Sequence, residues 1–437
     1  MGSRVRELAG ATPATRDRYI DLLRVASLGT VVLGHWLMAA VTTDGVGNLL
    51  AVVPGLQLLT WALQIMPVFF FVGGFSHALS YRSLLRRRPE GSTDSVYPAF
   101  LRARLQRLLR PTMVFVLVWG AAALAVAVAG GDGGLTGVTL RLVTQPLWFI
   151  GIHLAMVACT PLLLRAHGRH GWGAFAALVT AAAAVDVLRF AAGVPYVEFL
   201  NFAFVWLAVH QLGFLHADDR IRRPGLLAGA GLASAVALVA CGPYPLSMVG
   251  MPGEKISNMA PPTLALLAHG LWLVGAVGLL RPYGTRFAGR PRVWRAVVAA
   301  NGVAMTAFLW HLTAMLGVYG AMLALGVALP EPATGAWWAQ VPVRVAAALA
   351  LTAALVAVFR TFERPAPTLA PRASTGTGAL SAFGVTLALL GVLALSMVGY
   401  AGLLEGRTAL LIAVHVSAPA AVAMTLGGWL LVERAGR

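Results

Sequence analysis

Apolar runs of eighteen or more residues recur along the whole chain, and this feature most limits what the chain can fold into. At 1.5 Å per residue, a helix of about 20 residues crosses the roughly 30 Å hydrocarbon core of a bilayer. Of the 437 residues, 59% are apolar and only 11% are charged, which is a poor composition for a water-soluble domain. The sequence therefore predicts an all-α, polytopic integral membrane protein.

Twelve apolar windows are long enough to cross a membrane. Helix is the expected conformation, because an open sheet edge leaves backbone groups unsatisfied in lipid. We expect the first ten helices to form a core and the last two to form a C-terminal helix pair. The predicted spans are residues 20–42, 58–81, 111–130, 146–164, 172–190, 200–216, 225–242, 262–280, 296–326, 341–360, 379–402 and 408–432.

The basic residues predict the orientation of these spans. Most of the 33 lysines and arginines fall in alternate connections, and short loops rich in Lys and Arg mark the cytoplasmic side. We therefore expect a multi-pass protein of the cell membrane with both termini in the cytoplasm. The net charge of +17 then reflects topology and contact with the lipid bilayer, so no nucleic acid is expected as a partner.

A break in composition divides the chain near its C-terminal end. The stretch RPAPTLAPRASTGTG at 364–378 is rich in Pro, Ser, Thr and Gly. The predicted organisation is a cytoplasmic N-terminal tail at 1–18, a membrane domain at 19–367, a linker at 368–378, and a transmembrane helix pair with its tail at 379–437.

Several common catalytic motifs do not occur in this sequence. There is no G-x-S-x-G, no HExxH and no GxxxxGK[ST]. Serine hydrolases, zinc proteases and P-loop ATPases therefore lose their usual sequence support, and no metal site is expected.

The first predicted span carries two ionisable residues, which inside a membrane are functional hypotheses by default. Arg24 and His35 are eleven residues apart and so lie within about 20° of one helix face. The predicted orientation puts Arg24 near the inner surface and His35 near the outer one. The alternatives are that Arg24 reaches the inner headgroups and that His35 satisfies a packing partner.

Further polar residues are expected at the depth of His35, and five are candidates for substrate contact: Trp148, His153, Asp186, Arg189 and Asn201. Asp186 and Arg189 are three residues apart and can pair across one helical turn, so an ion pair and a substrate role both remain open. His210 and His311 lie deeper and can satisfy buried partners. His77, His269 and His415 are interpreted as structural.

Four arginines precede the apolar part of the third span in the pattern Arg102-x-Arg104-x-x-Arg107-x-x-Arg110. On a helix this spacing stacks Arg104, Arg107 and Arg110 on one face. Guanidinium groups can hold phosphate oxygens in a bidentate manner. Cytoplasmic positive charge explains part of the cluster, but four arginines in nine residues exceed what orientation requires and predict a phosphate-binding site.

In their order and spacing, these motifs resemble the membrane acyltransferase-3 family. The resemblance extends from about Tyr19 to Pro367. It rests on Asp21-Leu-Leu-Arg24 with the spacing to His35, FFFVGGF from Phe69, RxxR at Arg104 and Arg107, PLWFIGIHL from Pro146, FLWH ending at His311, and FERP from Phe362.

The resemblance implies an O-acyltransferase. Members move an acyl group, often acetyl, from cytoplasmic acyl-CoA to a hydroxyl on a surface glycan, a lipid or a secondary metabolite. Arg24 and His35 match the catalytic pair of the family, and Arg104 and Arg107 match its RxxR; Arg110 joins them by its position. His35 would deprotonate the acceptor hydroxyl, with an acyl-histidine intermediate as the other route.

Two other classes remain as alternatives. A twelve-helix secondary transporter would use intramembrane His, Asp and Arg residues as a relay. The lack of a visible half-repeat and the division into ten helices and two helices argue against it. A scaffold or sensor without chemistry predicts that His35→Ala changes stability alone.

Overall fold

The computed structural model describes residues 2–13, 15–42, 45–89, 95–131, 134–251, 254–363, 378–411 and 414–435. The protein is 78% helical with almost no sheet, which confirms the all-α prediction. Among the described residues, eleven helices are long and apolar enough to cross a membrane. The linker predicted at 368–378 lies outside the described residues except for its last glycine.

The described residues form eighteen α-helices, several of them short. In chain order they are α1 Gly2–Gly10, α2 Arg18–Met38, α3 Leu49–Val52, α4 Thr60–Leu63, α5 Met66–Arg86, α6 Tyr97–Val128, α7 Gly134–Leu142, α8 Leu147–His170, α9 Trp172–Phe190, α10 Asn201–Ala217, α11 Pro224–Cys241, α12 Leu264–Gly289, α13 Pro291–Asn301, α14 Ala304–Ala324, α15 Gly335–Phe359, α16 Gly378–Val398, α17 Ala401–Glu405 and α18 Ala418–Ala435. The 3₁₀ helices are Pro54–Leu59, Val197–Leu200 and Arg360–Glu363.

Two short antiparallel hairpins supply the strands of the described chain. In the first, β1 (Ala39–Val41) pairs with β2 (Val46–Asn48). In the second, β3 (Thr408–Leu411) pairs with β4 (Val414–Ser417). Each hairpin directly adjoins a helix, so the strands act as turns between helices rather than as a sheet.

Polar side chains define where three of the long helices begin. The Asp17 carboxylate accepts from the backbone N–H groups of Tyr19 and Ile20 at the start of α2. Thr263 and Thr334 accept in the same way from Leu266 and Trp337, at the starts of α12 and α15. These caps satisfy amide groups that the helices themselves leave without partners.

Several of the predicted spans differ from the observed helices; the first, predicted at 20–42, ends at Met38 and is followed by strand β1. The third span, predicted at 111–130, is part of α6, which begins at Tyr97, so the arginine cluster lies within this helix. The span predicted at 296–326 is wrong as one helix, because the chain ends α13 at Asn301 and starts α14 at Ala304. The span predicted at 408–432 begins instead with the β3–β4 hairpin, and only Ala418–Ala435 is helical. Hydropathy does not distinguish an apolar turn or hairpin from an apolar helix end.

The helices group into two compact units. The first comprises Met1–Met38, Leu50–Leu79 and Leu162–Ala304, and the second comprises Ala39–Leu49, Ser80–Pro161 and Met305–Arg437. The second unit includes the C-terminal helices α16 and α18. The boundary predicted between the core and the C-terminal pair stays a prediction.

In the first unit, α5 and α10 cross at a pair of glycines. A Cβ on Gly74 would lie 2.0 Å from the backbone oxygen of His210, and one on Gly213 would lie 2.3 Å from the backbone oxygen of Phe71. Only glycine lets two helix backbones approach this closely. The close approach of the two backbones holds α5, which carries Ser76 and His77, against α10, which carries His210.

In the second unit, α16 and α18 pack in the same manner. A Cβ on Gly391 would lie 2.5 Å from the amide nitrogen of Thr425, and one on Gly428 would lie 2.3 Å from that of Ala388. The buried Tyr400 hydroxyl, between these helices in sequence, donates to the Val116 carbonyl of α6 at 2.6 Å. The C-terminal helices are thus packed together and anchored to α6.

Candidate active site

Helix α2 of the first unit holds Arg24 in a fixed position. Nη1 of Arg24 lies 3.1 Å from Oδ1 of Asp21, and Nη2 of Arg24 donates to the Ser76 hydroxyl of α5 at 2.6 Å. Asp21 is 4% exposed and also binds Nε of Arg16 at 2.6 Å. Two guanidinium groups therefore share one buried carboxylate.

These contacts favour a fixed position of Arg24 over a side chain that reaches for the inner headgroups, and its catalytic role stays a prediction. A side chain that reaches for headgroups would not be tied to a residue of another helix, whereas Arg24 is bound to Ser76. Hydrogen bonding to Asp21 also raises the pKa of Arg16 above its ordinary value, so Arg16 stays charged. Arg24 is thus a preorganised cation in the first unit.

His35 lies on the same face of α2, about 16 Å farther along the helix axis. Its side chain is half-buried. Because Arg24 is drawn toward Asp21, one turn toward the start of the helix, its guanidinium points away from His35. The two residues are therefore arranged to act on different groups, and the catalytic role of each stays a prediction.

Asp186 joins three helices of the first unit. Its Oδ1 accepts from Asn201 Nδ2 at 2.8 Å, at the start of α10. Its Oδ2 accepts from the Tyr244 hydroxyl at 2.9 Å and from the Leu264 backbone N–H at 2.7 Å, at the start of α12. Burial, together with the nearby carboxylate, raises the pKa of Tyr244, so its hydroxyl remains a donor.

Arg189 is close to this cluster but is not its hydrogen-bond partner. It acts on Asp186 electrostatically, and its Cζ lies 4.8 Å over the ring of Phe190. Among the described residues, no close Asp186–Arg189 ion pair is formed and the buried Nη1 of Arg189 has no hydrogen-bond acceptor. Arg189 therefore has an N–H donor available, whereas both carboxylate oxygens of Asp186 already accept hydrogen bonds.

Replacing Asp186 with alanine is expected to destabilise the first unit by about 2 kcal/mol, because the Tyr244 hydroxyl and the Leu264 N–H would lose their acceptor and Asn201 Nδ2 would keep only its 3.4 Å bond to the Ala182 carbonyl. Thermal unfolding of detergent-purified protein measures the effect. Asp186→Asn, which keeps one carbonyl acceptor, should lose less. Equal midpoints for wild type and Asp186→Ala would show that the cluster carries no stability.

Two buried histidines of the first unit contact each other. His77 Nδ1 lies 3.0 Å from His210 Nε2, across the α5–α10 crossing. Both side chains are almost completely buried. One ring nitrogen donates and the other accepts, so each histidine is the buried polar partner of the other. This geometry supports a structural role for both.

A cavity of about 290 Å³ lies near the start of α2 in the first unit. Its lining combines apolar side chains such as Leu23, Phe71 and Val274 with Arg281 and His216. Arg281 is already engaged by Asp17 at 2.9 Å. Its lining contains none of the residues predicted to form the catalytic or binding site.

The arginines of α6 lie in the second unit on one helix face. Arg107 is exposed, whereas Arg104 and Arg110 are half-buried. Arg110 Nε lies 3.8 Å from Oε1 of Glu433 on α18, and Oε2 of Glu433 accepts a 3.5 Å hydrogen bond from Gln106 Nε2. The C-terminal helix thus supplies a counter-charge at one end of the cluster and leaves the exposed Arg107 accessible to an anion.

Glu363 connects the arginine face to α14. Its two carboxylate oxygens accept from the backbone N–H groups of Met305 and Thr306, at 3.0 and 2.9 Å, and from the Thr306 hydroxyl at 2.6 Å. Arg107 interacts with it electrostatically. This residue belongs to the FERP motif, but sequence reasoning assigned it no role. Its partners lie 57 residues or more away in sequence, which no local pattern shows.

Trp148 and His153 take part in an aromatic cluster of the second unit. Phe149 contacts the ring of Trp148 at 6.3 Å and that of His153 at 5.9 Å between centroids. Phe149 also packs on Phe308 at 4.7 Å, and Phe308 on His311 at 5.6 Å. His311 of FLWH and His153 of PLWFIGIHL therefore belong to one aromatic cluster. Their separation in the sequence does not indicate this.

The predicted site residues divide between the two units. Arg24, His35, Asp186, Arg189 and Asn201 belong to the first, where Asn201 binds Asp186 directly. The members in the second unit are Arg104, Arg107, Arg110, Trp148 and His153. Ser76, which orients Arg24, carried no signal in the sequence.

The comparison with known families identifies this membrane protein as an acyltransferase. Residues 17–360 match the acyltransferase-3 family profile, which describes an acyltransferase domain. The chain belongs to this family. No curated protein and no solved structure matches the chain at a significant level.

Proposed function

We propose that this protein transfers a short acyl group, acetyl in the first instance, from cytoplasmic acyl-CoA to a hydroxyl of a glycan, a lipid or a secondary metabolite in the cell envelope. It would reside in the cell membrane with both termini in the cytoplasm. The observation that carries the proposal is α2, where a family-matched segment holds a fixed cation, Arg24, and a titratable imidazole, His35, on one helix face.

The α6 arginines support a nucleotide-type donor. Acyl-CoA carries several phosphate oxygens, and guanidinium forks bind these in pairs. Arg104, Arg107 and Arg110 stand one turn apart, and Glu433 and Glu363 offset part of their charge without covering Arg107. We assign the phosphates of acyl-CoA to this face.

The chemistry proposed for His35 is general base catalysis. Its imidazole takes the proton of the acceptor hydroxyl while the hydroxyl oxygen attacks the thioester carbonyl. The new C–O bond forms, the C–S bond breaks, and coenzyme A leaves as a thiolate that takes up the proton held by the His35 imidazolium. In the second route, His35 itself accepts the acyl group before the acceptor does.

The remaining candidates are proposed to bind the acceptor. Arg189 offers the unpartnered Nη1, and Asn201 offers a buried Oδ1 that has no donor among the described residues. Asp186, with both oxygens occupied, orients Asn201 instead. Trp148 and His153 present a half-buried ring and imidazole of the kind that contacts sugars and hydroxyls.

Label transfer tests the function. Membranes that contain the protein are incubated with acetyl-CoA labelled in the acetyl group, and glycan, lipid and small-molecule fractions are counted. Label in one fraction, dependent on the protein, supports the transferase and identifies the acceptor class. Absence of both transfer and coenzyme A binding, across several acyl lengths and in membranes of the native host, would contradict it.

Replacing Arg104 and Arg107 together with alanine is expected to raise KM for acyl-CoA at least tenfold, because each lost charged hydrogen bond contributes about 1.5–3 kcal/mol. Steady-state kinetics at varied acyl-CoA measures the change. The matched control is Arg292→Ala, an exposed arginine of α13. An unchanged KM in the double variant would place the donor phosphates elsewhere.

A further inference from the structure

A chain of contacts between titratable and charged side chains links three helices of the first unit. Arg281 of α12 donates from Nη2 to Oδ2 of Asp17 at 2.9 Å, and from Nη1 to Nε2 of His216, in the last turn of α10, at 2.6 Å. Oδ1 of the same Asp17 accepts from the N–H groups of Tyr19 and Ile20 and so caps α2. One guanidinium therefore ties α10 and α12 to the start of α2.

The contact with Arg281 fixes the protonation state of His216. A guanidinium has N–H donors but no acceptor, so Nε2 of His216 accepts with its lone pair and the ring proton is on Nδ1. An imidazolium has no such lone pair and would meet the guanidinium as a second cation. The contact therefore requires a neutral His216, and a free imidazole gains its proton at about pH 6.5.

Other groups near His216 favour its protonated form. Asp219 is exposed, its backbone N–H donates to the His216 carbonyl at 3.1 Å, and its carboxylate acts on the imidazole electrostatically, as that of Asp17 does. The carbonyl end of α10 also favours a cation in its last turn. The rings of Phe71 and Phe75 on α5, at 5.2 and 5.6 Å between centroids, carry no charge. The imidazolium thus finds compensating charge here, and both protonation states of His216 are accessible.

Protons can reach His216 from solvent. His216 and Arg281 line the cavity of about 290 Å³ near the start of α2. The inner wall of this cavity includes the buried Ile20 and Phe71, whereas Arg281 and Asp219 are exposed, so its charged end is the open one. Because His216 is only half-buried, the imidazole can exchange its proton without unfolding of α10.

We propose that His216, Arg281 and Asp17 form a proton-operated latch on the start of α2. With His216 neutral, Arg281 bridges His216 and Asp17 and holds the first turn of α2 against α12. A proton from solvent converts His216 to an imidazolium, which repels Arg281 and turns to Asp219. Arg281 then loses its anchor on α10, and the Asp17 cap is no longer held in one position. The latch is present above about pH 6.5 and is released as the pH falls, because the released state binds the proton.

The latch acts on the helix that carries Arg24 and His35. Arg24 is five residues beyond Tyr19, so release of the first turn of α2 changes how firmly the start of this helix is held. The proposal does not rest on the acyl-transfer function, since its test measures the conformation of α2 and not activity.

Hydrogen–deuterium exchange tests the latch. Full-length protein in detergent is labelled at about pH 7.5 and about pH 5.5, on either side of the ordinary pKa of histidine. Protection factors, which correct for the intrinsic effect of pH, are compared for peptides that contain Tyr19 and Ile20. We expect wild type to lose at least about threefold in protection at the lower pH, within the limit of about tenfold per pH unit that one proton allows. Asp17 and Asp219 stay ionised at both pH values.

Two substitutions should move the latch in opposite directions. His216→Gln offers a carbonyl acceptor to Arg281 but takes up no proton, so protection at the start of α2 should be high at both pH values. Arg281→Gln removes the bridge, so protection should be low at both. The control is His415→Gln, at an exposed histidine of β4, which should respond to pH as wild type does.

An equal loss of protection in wild type and His216→Gln would overturn the latch, because another titrating group would then be the cause. Full protection of wild type at the lower pH would overturn it as well, and so would wild-type protection in Arg281→Gln at the higher pH. If Arg281→Gln fails to fold, the comparison of wild type with His216→Gln decides alone.

Discussion

Replacing His35 with alanine is expected to lower acyl transfer by about 10²–10⁴-fold, because general base catalysis by a positioned side chain contributes a factor of this size. The His35 side chain is half-buried, so the thermal midpoint of the variant is measured beside its activity to separate lost chemistry from lost stability. The measurement is the initial rate of label transfer from acetyl-CoA, normalised to the amount of monodisperse protein.

The matched control for this prediction is His415→Ala. His415 lies exposed on β4, where it contacts the Thr408 hydroxyl at 3.3 Å. It should transfer acetyl groups at the wild-type rate. Wild-type activity in His35→Ala would remove the base from the proposed mechanism.

Acid quenching separates the two routes open to His35. Label bound covalently to wild-type protein, and lost in His35→Ala, would favour the acyl-histidine intermediate. Transfer without any labelled protein would favour direct attack by the acceptor hydroxyl. Either result retains His35 as the reacting group.

Replacing Gly74 with alanine is expected to destabilise the first unit by about 3 kcal/mol or more. The added Cβ would lie 2.0 Å from the backbone oxygen of His210, and a helix backbone cannot rotate away as a side chain can. The α5–α10 crossing would have to open, which would also disturb the His77–His210 contact. The thermal midpoint in detergent and the yield of monodisperse protein measure the loss.

Gly29→Ala is the control for the glycine substitution. Gly29 lies in α2, and a Cβ there would meet no heavy atom within 4 Å. Alanine is the better helix former, so this variant should be as stable as wild type or slightly more so. A Gly74→Ala protein with the same midpoint as Gly29→Ala would show that the crossing is not rigid.

Much of the fold follows from local properties of the sequence. The span predicted at 172–190 coincides with α9, and the seventh span, predicted at 225–242, is within a residue of α11 at Pro224–Cys241. The break in the helix between Asn301 and Ala304 was not predicted, because the residues on both sides of it are apolar enough to belong to one helix. The same holds for the β3–β4 hairpin, whose strands are rich in Leu and Val.

The candidate site was predictable only as a set of residue types. Spacing placed Arg24 and His35 on one helix face, and it stacked the α6 arginines. Spacing also made an Asp186–Arg189 ion pair equally plausible, whereas the carboxylate binds Asn201, Tyr244 and the Leu264 amide. The donors that outcompete Arg189 come from other helices, and their positions depend on how those helices pack.

The amino-acid sequence by itself determined the class of this protein: an all-α membrane protein of the acyltransferase-3 family, with its apolar spans and its basic motifs. These properties depend on each residue's own preference for lipid or water and on short spacings along the chain. Only the tertiary structure decided which groups meet: Arg24 with Ser76, Glu363 with the start of α14, and Arg344 with Tyr319 but with no carboxylate among the described residues. Such contacts join segments distant in sequence, and they form only where the packed helix faces bring them together.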